Sequence, residues 1–126
     1  MADIVICDDD RRYFELAAAY LRFKGHRVSW AHDPTELYLM LKGAKKPDLV
    51  ILDTQMPEGG GAEAARVVDQ KFGPQMPTLI CSALAVEHQQ QWFPPRPNRR
   101  YVAKPVKVEQ LGALVDELLQ APPPSP

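Results

Sequence analysis

Cysteine is scarce in this 126-residue chain; Cys7 and Cys81 are the two copies, each within or beside an apolar run. Such a pair suggests neither a disulfide framework nor a thiolate metal site, and two buried free thiols in a reducing compartment are expected. Histidine is almost as rare, and His26, His32 and His88 are scattered enough to read as structural or exposed. Neither sign of charge is in excess: the formal net charge is -1, which gives no bulk attraction to nucleic acid or to an anionic membrane. No apolar stretch approaches the length of a membrane span, and the N-terminus lacks a basic region followed by a long apolar one. The expectation is one cytoplasmic domain, with neither nucleic acid nor membrane as partner. A hydrophobic content of 45% is enough for a real core.

What the chain does have is a set of short apolar runs that end on charges. Ile4-Val5-Ile6-Cys7 runs into Asp8-Asp9-Asp10, Leu49-Val50-Ile51-Leu52 into Asp53, and Tyr101-Val102-Ala103 into Lys104-Pro105. A buried strand gains nothing by finishing on an ionised group unless a counter-charge or donor awaits it. Two acidic ends and one basic end therefore suggest one shared pocket.

Strand and helix patterns alternate along the chain. Strand candidates cover Asp3 to Cys7, His26 to Ala31, Asp48 to Leu52, Pro77 to Cys81 and Arg100 to Ala103. The third, opened by Pro47, is unbroken in its apolar character and should be buried on both faces. Between them, Phe14, Ala17, Ala18 and Leu21 recur at helical spacing from Arg11 to Lys24, and Gly25 is a natural stop. Asp33-Pro34-Thr35-Glu36 supplies an N-cap, a proline at the first helical position and an acid at the third, before Leu37, Met40 and Leu41. Ala62 to Phe72 is a third helix, and Val108, Leu111, Val115 and Leu118 mark a closing one. Val86 to Phe93 allows two turns of helix before Pro94-Pro95-Arg96-Pro97 must end it. We expect residues 1–120 to form the domain and the mostly proline stretch 121–126 to be an extended, mobile tail.

This alternation argues for a doubly wound α/β fold, a parallel sheet with helices on both faces. Right-handed crossovers place all strand C-termini along one edge, where open α/β sheets bind ligands. Topology thus brings Asp8, Asp9, Asp53, Ser82 and Lys104 to one rim. Converging carboxylates raise one another's pKa unless a cation intervenes. Hard oxygen ligands without His or Cys suit Mg²⁺. A metal, an ammonium and a hydroxyl around a carboxylate nucleophile are what phosphoryl transfer requires.

With these residues in hand, the chain resembles the receiver domain of bacterial two-component response regulators, of the single-domain chemotaxis type. The matching residues are Asp8-Asp9, Asp53, Met56-Pro57 with Gly61, Ser82-Ala83, Tyr101 and Lys104-Pro105, spanning most of the chain. The resemblance implies five parallel strands in the order 2-1-3-4-5. It implies that Asp53 is the phosphoacceptor, Asp9 a direct Mg²⁺ ligand, Asp8 an acid holding the metal through water, and the Gln55 carbonyl a further ligand. Ser82 resembles the hydroxyl that moves to the phosphoryl group, Lys104 the lysine that pairs with it, and Tyr101 the aromatic that turns inward. It also implies a phosphohistidine donor on a sensor histidine kinase or phosphotransfer protein, and a downstream protein partner. Such a domain is no classical enzyme, but it catalyses its own Mg²⁺-dependent aspartyl phosphorylation and dephosphorylation.

The segment from Val86 to Arg100 departs most from that family, and we expect a shortened fourth helix followed by a Pro-constrained loop. Trp92 and Phe93 then either pack beneath the loop or present an apolar patch. Asp10 reads as a cap on the first helix. Gly59-Gly60-Gly61 reads as a flexible turn into the third. Arg96, Arg99, Arg100 and Lys107 read as a solvated basic face. No output domain is apparent in the sequence, which fits either a stand-alone receiver or one cut from a larger protein. Two other readings compete: a pseudo-receiver that binds partners without phosphorylation, and a phosphohydrolase of the haloacid-dehalogenase kind. The last wants its nucleophile, and a second acid two residues on, after the first strand, whereas the best nucleophile here follows the third.

Overall fold

The structure, a computed structural model, describes residues 1–43, 46–54, 60–73 and 75–120, apart from the Trp92 side chain. Ten elements alternate: β1 (Asp3–Cys7), α1 (Arg11–Phe23), β2 (Arg27–Ala31), α2 (Pro34–Gly43), β3 (Leu49–Asp53), α3 (Gly60–Phe72), β4 (Thr78–Ser82), α4 (Val86–Trp92), β5 (Arg99–Ala103) and α5 (Val108–Gln120). The strands form one parallel sheet in the order β2-β1-β3-β4-β5, as expected. Chain order reverses between β1 and β3, so Asp8 and Asp53 follow the two strands that flank the switch point. The expected tail, 121–126, and the expected ligand Gln55, with Met56 and Pro57, lie outside the described residues.

Local sequence accounts for the element ends. The Asp10 side chain accepts from Tyr13 N at 3.1 Å and caps α1, while Gly25, at φ 99°, lets the chain leave that helix. Asp33 Oδ1 accepts from Glu36 N at 2.7 Å at the start of α2. All five residues of β3 are buried, as an unbroken apolar run in a central strand requires.

Alternation along the strands divides the core into two layers. Ile4, Ile6, Leu49, Ile51, Leu79 and Cys81 pack with α1 and α5 through Phe14, Leu21, Leu111 and Val115. Val5, Cys7, Val50, Leu52 and Ile80 pack with α2 and α3 through Leu37, Leu41, Ala64 and Val68. Each fully buried Leu or Ile contributes about 1.5–3 kcal/mol. The two thiols are buried, and desolvation pushes each up to about 12, so both are inert hydrophobes.

The fourth helix is short, seven residues, and its C-cap Phe93 is extended, at φ -126°. Pro94 and Pro95 lack the N–H groups that a further turn would need. Phe93 is buried against the α2/α3 layer, which settles its half of the expectation; the Trp92 side chain lies outside the description. Gln89 anchors the helix to β5, donating from Nε2 to the carbonyls of Leu84 at 2.9 Å and Val102 at 3.1 Å.

Two expectations need correction. Arg99 does not belong to a solvated basic face: it is buried, and its Nη2 donates to Asp69 Oδ1 on α3 at 2.7 Å. Period-2 alternation puts Arg99 on the same side as Tyr101, facing α3, where a buried guanidinium needs its acid. Gly60 and Gly61 are not a turn but the buried start of α3. A Cβ on Gly61 would lie 2.5 Å from both Cα and O of Thr54, so close helix–strand approach, not flexibility, requires this glycine.

Candidate active site

The polar rim continues the two-sided alternation of the strands. Asp8, Asp53 and Lys104 fall in phase with Ile6, Ile51 and Val102, on the α1/α5 side. Thr54, Ser82 and Tyr101 fall in phase with Leu52 and Ile80, on the other. The C-terminal rim of the sheet therefore carries polar side chains from both layers.

On the first side, Lys104 Nζ lies 3.3 Å from Asp8 Oδ2 and 3.2 Å from Asp53 Oδ1. Both carboxylates are buried, and the Lys104 side chain is 21% exposed. Burial opposes the lysine's charge, but Asp8 and then Asp53 outweigh it and raise its pKa, so the ammonium stays charged. Asp8 behaves in the opposite way: burial pushes its carboxyl up to about 6, with the nearby Asp53 charge adding to the rise. The Asp10 N–H, which donates to Asp8 Oδ1 at 2.8 Å, and the Lys104 charge pull the other way. The Asp8 backbone is fixed by its N–H to Ala31 O at 3.1 Å and by Trp30 Nε1 donating to its carbonyl at 2.8 Å.

Asp9 is exposed, and one oxygen each from Asp8, Asp9 and Asp53 lie within 4.8 Å of one another. Three carboxylates, with no nitrogen or sulfur donor in the group, form the hard donor set that a divalent cation such as Mg²⁺ accepts. The Asp53 charge adds to the burial-driven rise of the Asp8 carboxyl, a repulsion that a bound cation would relieve.

On the second side, Ser82 is fully buried, and its Oγ accepts from Thr54 Oγ1 and, at 3.0 Å, from Leu84 N. Its carbonyl accepts from Lys104 N at 2.6 Å, which ties β4 to the lysine-bearing turn. Tyr101 is half-buried, and its hydroxyl donates to Phe93 O at 2.7 Å. It points at the end of α4.

The structure places the expected carboxylates, Ser82 and Lys104 at the C-terminal rim of the sheet, and beside them Trp30, Thr54 and Tyr13, to which sequence reasoning assigned no place there. Thr54 could have been found, because it directly follows Asp53 and shares the phase of Ser82. Trp30 sits in a strand whose polar residues hid its pattern, and nothing in the local sequence ties it to Asp8.

The family model of the response regulator receiver domain matches residues 4–116. The chain belongs to that family. This receiver is 31% identical over 117 residues to the response regulator MprA of Mycobacterium ulcerans, covering 93% of the chain and 50% of MprA. It is 29% identical over 116 residues to the autoinducer 2 sensor kinase/phosphatase LuxQ of Vibrio vulnificus, covering 92% of the chain and 13% of LuxQ. The receiver thus spans half or less of the length of these curated relatives. Among solved structures, chemotaxis protein CheY4 of Vibrio cholerae superposes with a TM-score of 0.82 at 23% identity, covering 94% of this chain and 98% of that one. The receiver domain of the sensor histidine kinase PA1611 of Pseudomonas aeruginosa gives 0.81 at 21% identity, covering 95% and 98%. That structure is described with a magnesium ion coordinated in its active site cleft. Among the described residues, no helix of this receiver is long and apolar enough to cross a membrane.

Proposed function

We propose that this receiver is a phosphoacceptor switch of His-Asp phosphorelay signalling, with Asp53 as the residue that carries the phosphoryl group. The observation that carries the reading is the Lys104 ammonium, held 3.2 Å from Asp53 and 3.3 Å from Asp8 in a buried acidic pocket. The donor is a phosphohistidine on a sensor kinase or phosphotransfer protein. A carboxylate oxygen of Asp53 attacks phosphorus as the bond from phosphorus to the imidazole nitrogen breaks. The electron pair leaves with the imidazole, which takes up a proton, and an acyl phosphate forms. Lys104 meets the charge that develops on the phosphoryl oxygens. Ser82 supplies a hydroxyl in the same pocket, its Oγ oriented by Thr54 and Leu84 N.

Asp8, Asp9 and Asp53, with the Gln55 carbonyl, would hold Mg²⁺. Bound there, the ion neutralises carboxylate repulsion and the charge of the phosphoryl oxygens. Ser82 and Tyr101 are the residues through which the modification is read, Tyr101 by exchanging its bond to Phe93 for an inward position. The domain acts in the cytoplasm and passes its state to a downstream protein.

A second reading, a phosphorylation-independent interaction module, is favoured by one feature. The short α4 and its Pro-rich exit are pinned by Tyr101 to Phe93 O and by Arg99 Nη1 to Pro94 O at 2.9 Å, which leaves this segment little freedom to answer a modification at Asp53. Incubation with acetyl phosphate, followed by intact-mass measurement, separates the two. The phosphoacceptor reading expects one phosphoryl group per chain with Mg²⁺ and none with EDTA. A chain that stays unmodified at millimolar acetyl phosphate and Mg²⁺ belongs to the second class.

A further inference from the structure

Tyr13, on the first turn of α1, places its ring beside the reactive lysine: Lys104 Nζ is 4.9 Å from the ring centroid. The position is fixed from below by the Asp10 cap, which accepts from Tyr13 N. The hydroxyl contributes nothing visible to this arrangement, for it is buried and has no hydrogen-bond partner among the described residues. A phenol placed for its hydroxyl would have found an acceptor. The ring face, not the polar end, makes the contact with the site.

Resting on the phosphoacceptor reading above, we propose that Tyr13 is a positioning residue for phosphoryl transfer, its aromatic face seating the Lys104 ammonium for Asp53. Lysine is a compact charge on a flexible four-carbon stem, and it can swing. Between Asp8 and Asp53 the ammonium is pulled by two acids, and after phosphorylation it has to follow the phosphoryl oxygens. A third carboxylate would hold it in place but compete for it and add to the pocket's negative charge. A ring face attracts the cation, takes no proton and carries no net charge. The attraction is strongest where water is excluded, and the Lys104 side chain is mostly buried.

The test compares wild type with Tyr13→Phe and Tyr13→Leu, all confirmed folded by thermal melts. Phosphorylation by acetyl phosphate with Mg²⁺ is followed over a range of donor concentrations. Tyr13→Phe keeps the ring and is expected to react within about twofold of wild type, whereas Tyr13→Leu, which keeps apolar bulk, is slowed roughly threefold to thirtyfold. The loss should fall on the maximal rate and not on the half-saturating donor concentration. NMR of the wild type should show the Lys104 ε-methylene protons shifted upfield by the ring, and Tyr13→Leu should return them to ordinary values. A folded Tyr13→Leu that reacts like wild type overturns the role, as does a Tyr13→Phe slowed as much as Tyr13→Leu. An unshifted Lys104 in the wild type overturns the seat itself. If the wild type is not phosphorylated at all, the phosphoacceptor reading fails, and this role with it.

Discussion

Arg99 on β5 donates to Asp69 on α3 at 2.7 Å, with its own side chain 1% exposed. Arg96 approaches the other oxygen of the same carboxylate at 3.6 Å, and Arg99 also holds the carbonyl of Pro94. One acid thus secures the edge strand, the Pro-rich loop and the third helix together. Removing it leaves a buried guanidinium without its counter-charge, which is far costlier than losing a surface pair. Asp69→Ala is expected to destabilise the fold by about 3 kcal/mol. Denaturant unfolding measures this, and a loss below about 1 kcal/mol would show that Arg99 is satisfied elsewhere.

Asp8 gives a pH dependence of definite sign. Its pKa is raised from an ordinary 3.8 to about 6, chiefly by burial, so the folded state binds this proton more tightly than the unfolded one. The associated stability is complete below about pH 4 and is lost as pH rises through 6. Asp8→Asn keeps an acceptor for Asp10 N and removes the charge. In EDTA it should melt roughly 5 °C above wild type at neutral pH, with a gap that shrinks as pH falls from 7 to 5. Divalent-ion binding by the wild type, which needs the carboxylate, should weaken below about pH 6. Melts with a variant less stable than wild type in EDTA at pH 7 would contradict this.

Gly61 tests how tightly the helix after the site presses on the strand before it. A methyl group there meets the Thr54 backbone, which follows directly on Asp53. Gly61→Ala should cost about 2 kcal/mol through overpacking and slow phosphorylation by shifting Asp53. An alanine variant as stable as wild type would mean that α3 can withdraw without disturbing the site.

Much of this was legible in the chain because it is locally encoded. The unbroken run Leu49–Leu52 states its burial on both faces, and Asp10, Asp33 and Gly25 announce helix ends by side-chain size and bonding. Pro94 and Pro95 dictate where α4 must stop. The charges that end β1, β3 and β5 converge once the sheet is parallel, so the rim followed from topology. Contacts between residues far apart in sequence were not legible. Arg99 with Asp69, Trp30 with Asp8, and Tyr13 with Lys104 each join different elements, and their local surroundings look like ordinary surface or core. Arg99 offered one overlooked signal, since two residues before Tyr101 it had to face the same buried layer.

Tyr101 should report the state of the α4 exit. Its hydroxyl bond to Phe93 O contributes about 1 kcal/mol, so Tyr101→Phe should lower stability by that amount. Hydrogen exchange should then quicken in α4 and the following loop, while the core strands β1 and β3 stay protected. Unchanged exchange in that segment would mean that Arg99 and Gln89 hold the exit without Tyr101.

The identity of the phosphorylated residue is the most direct test of the account. Wild-type protein is treated with acetyl phosphate and Mg²⁺, reduced with borohydride to convert an acyl phosphate to an alcohol, and sequenced by peptide mass spectrometry. Reduction is expected at position 53 alone, and none in Asp53→Asn. Reduction at Asp8, Asp9 or any other carboxylate, or persistent labelling of Asp53→Asn, would contradict it.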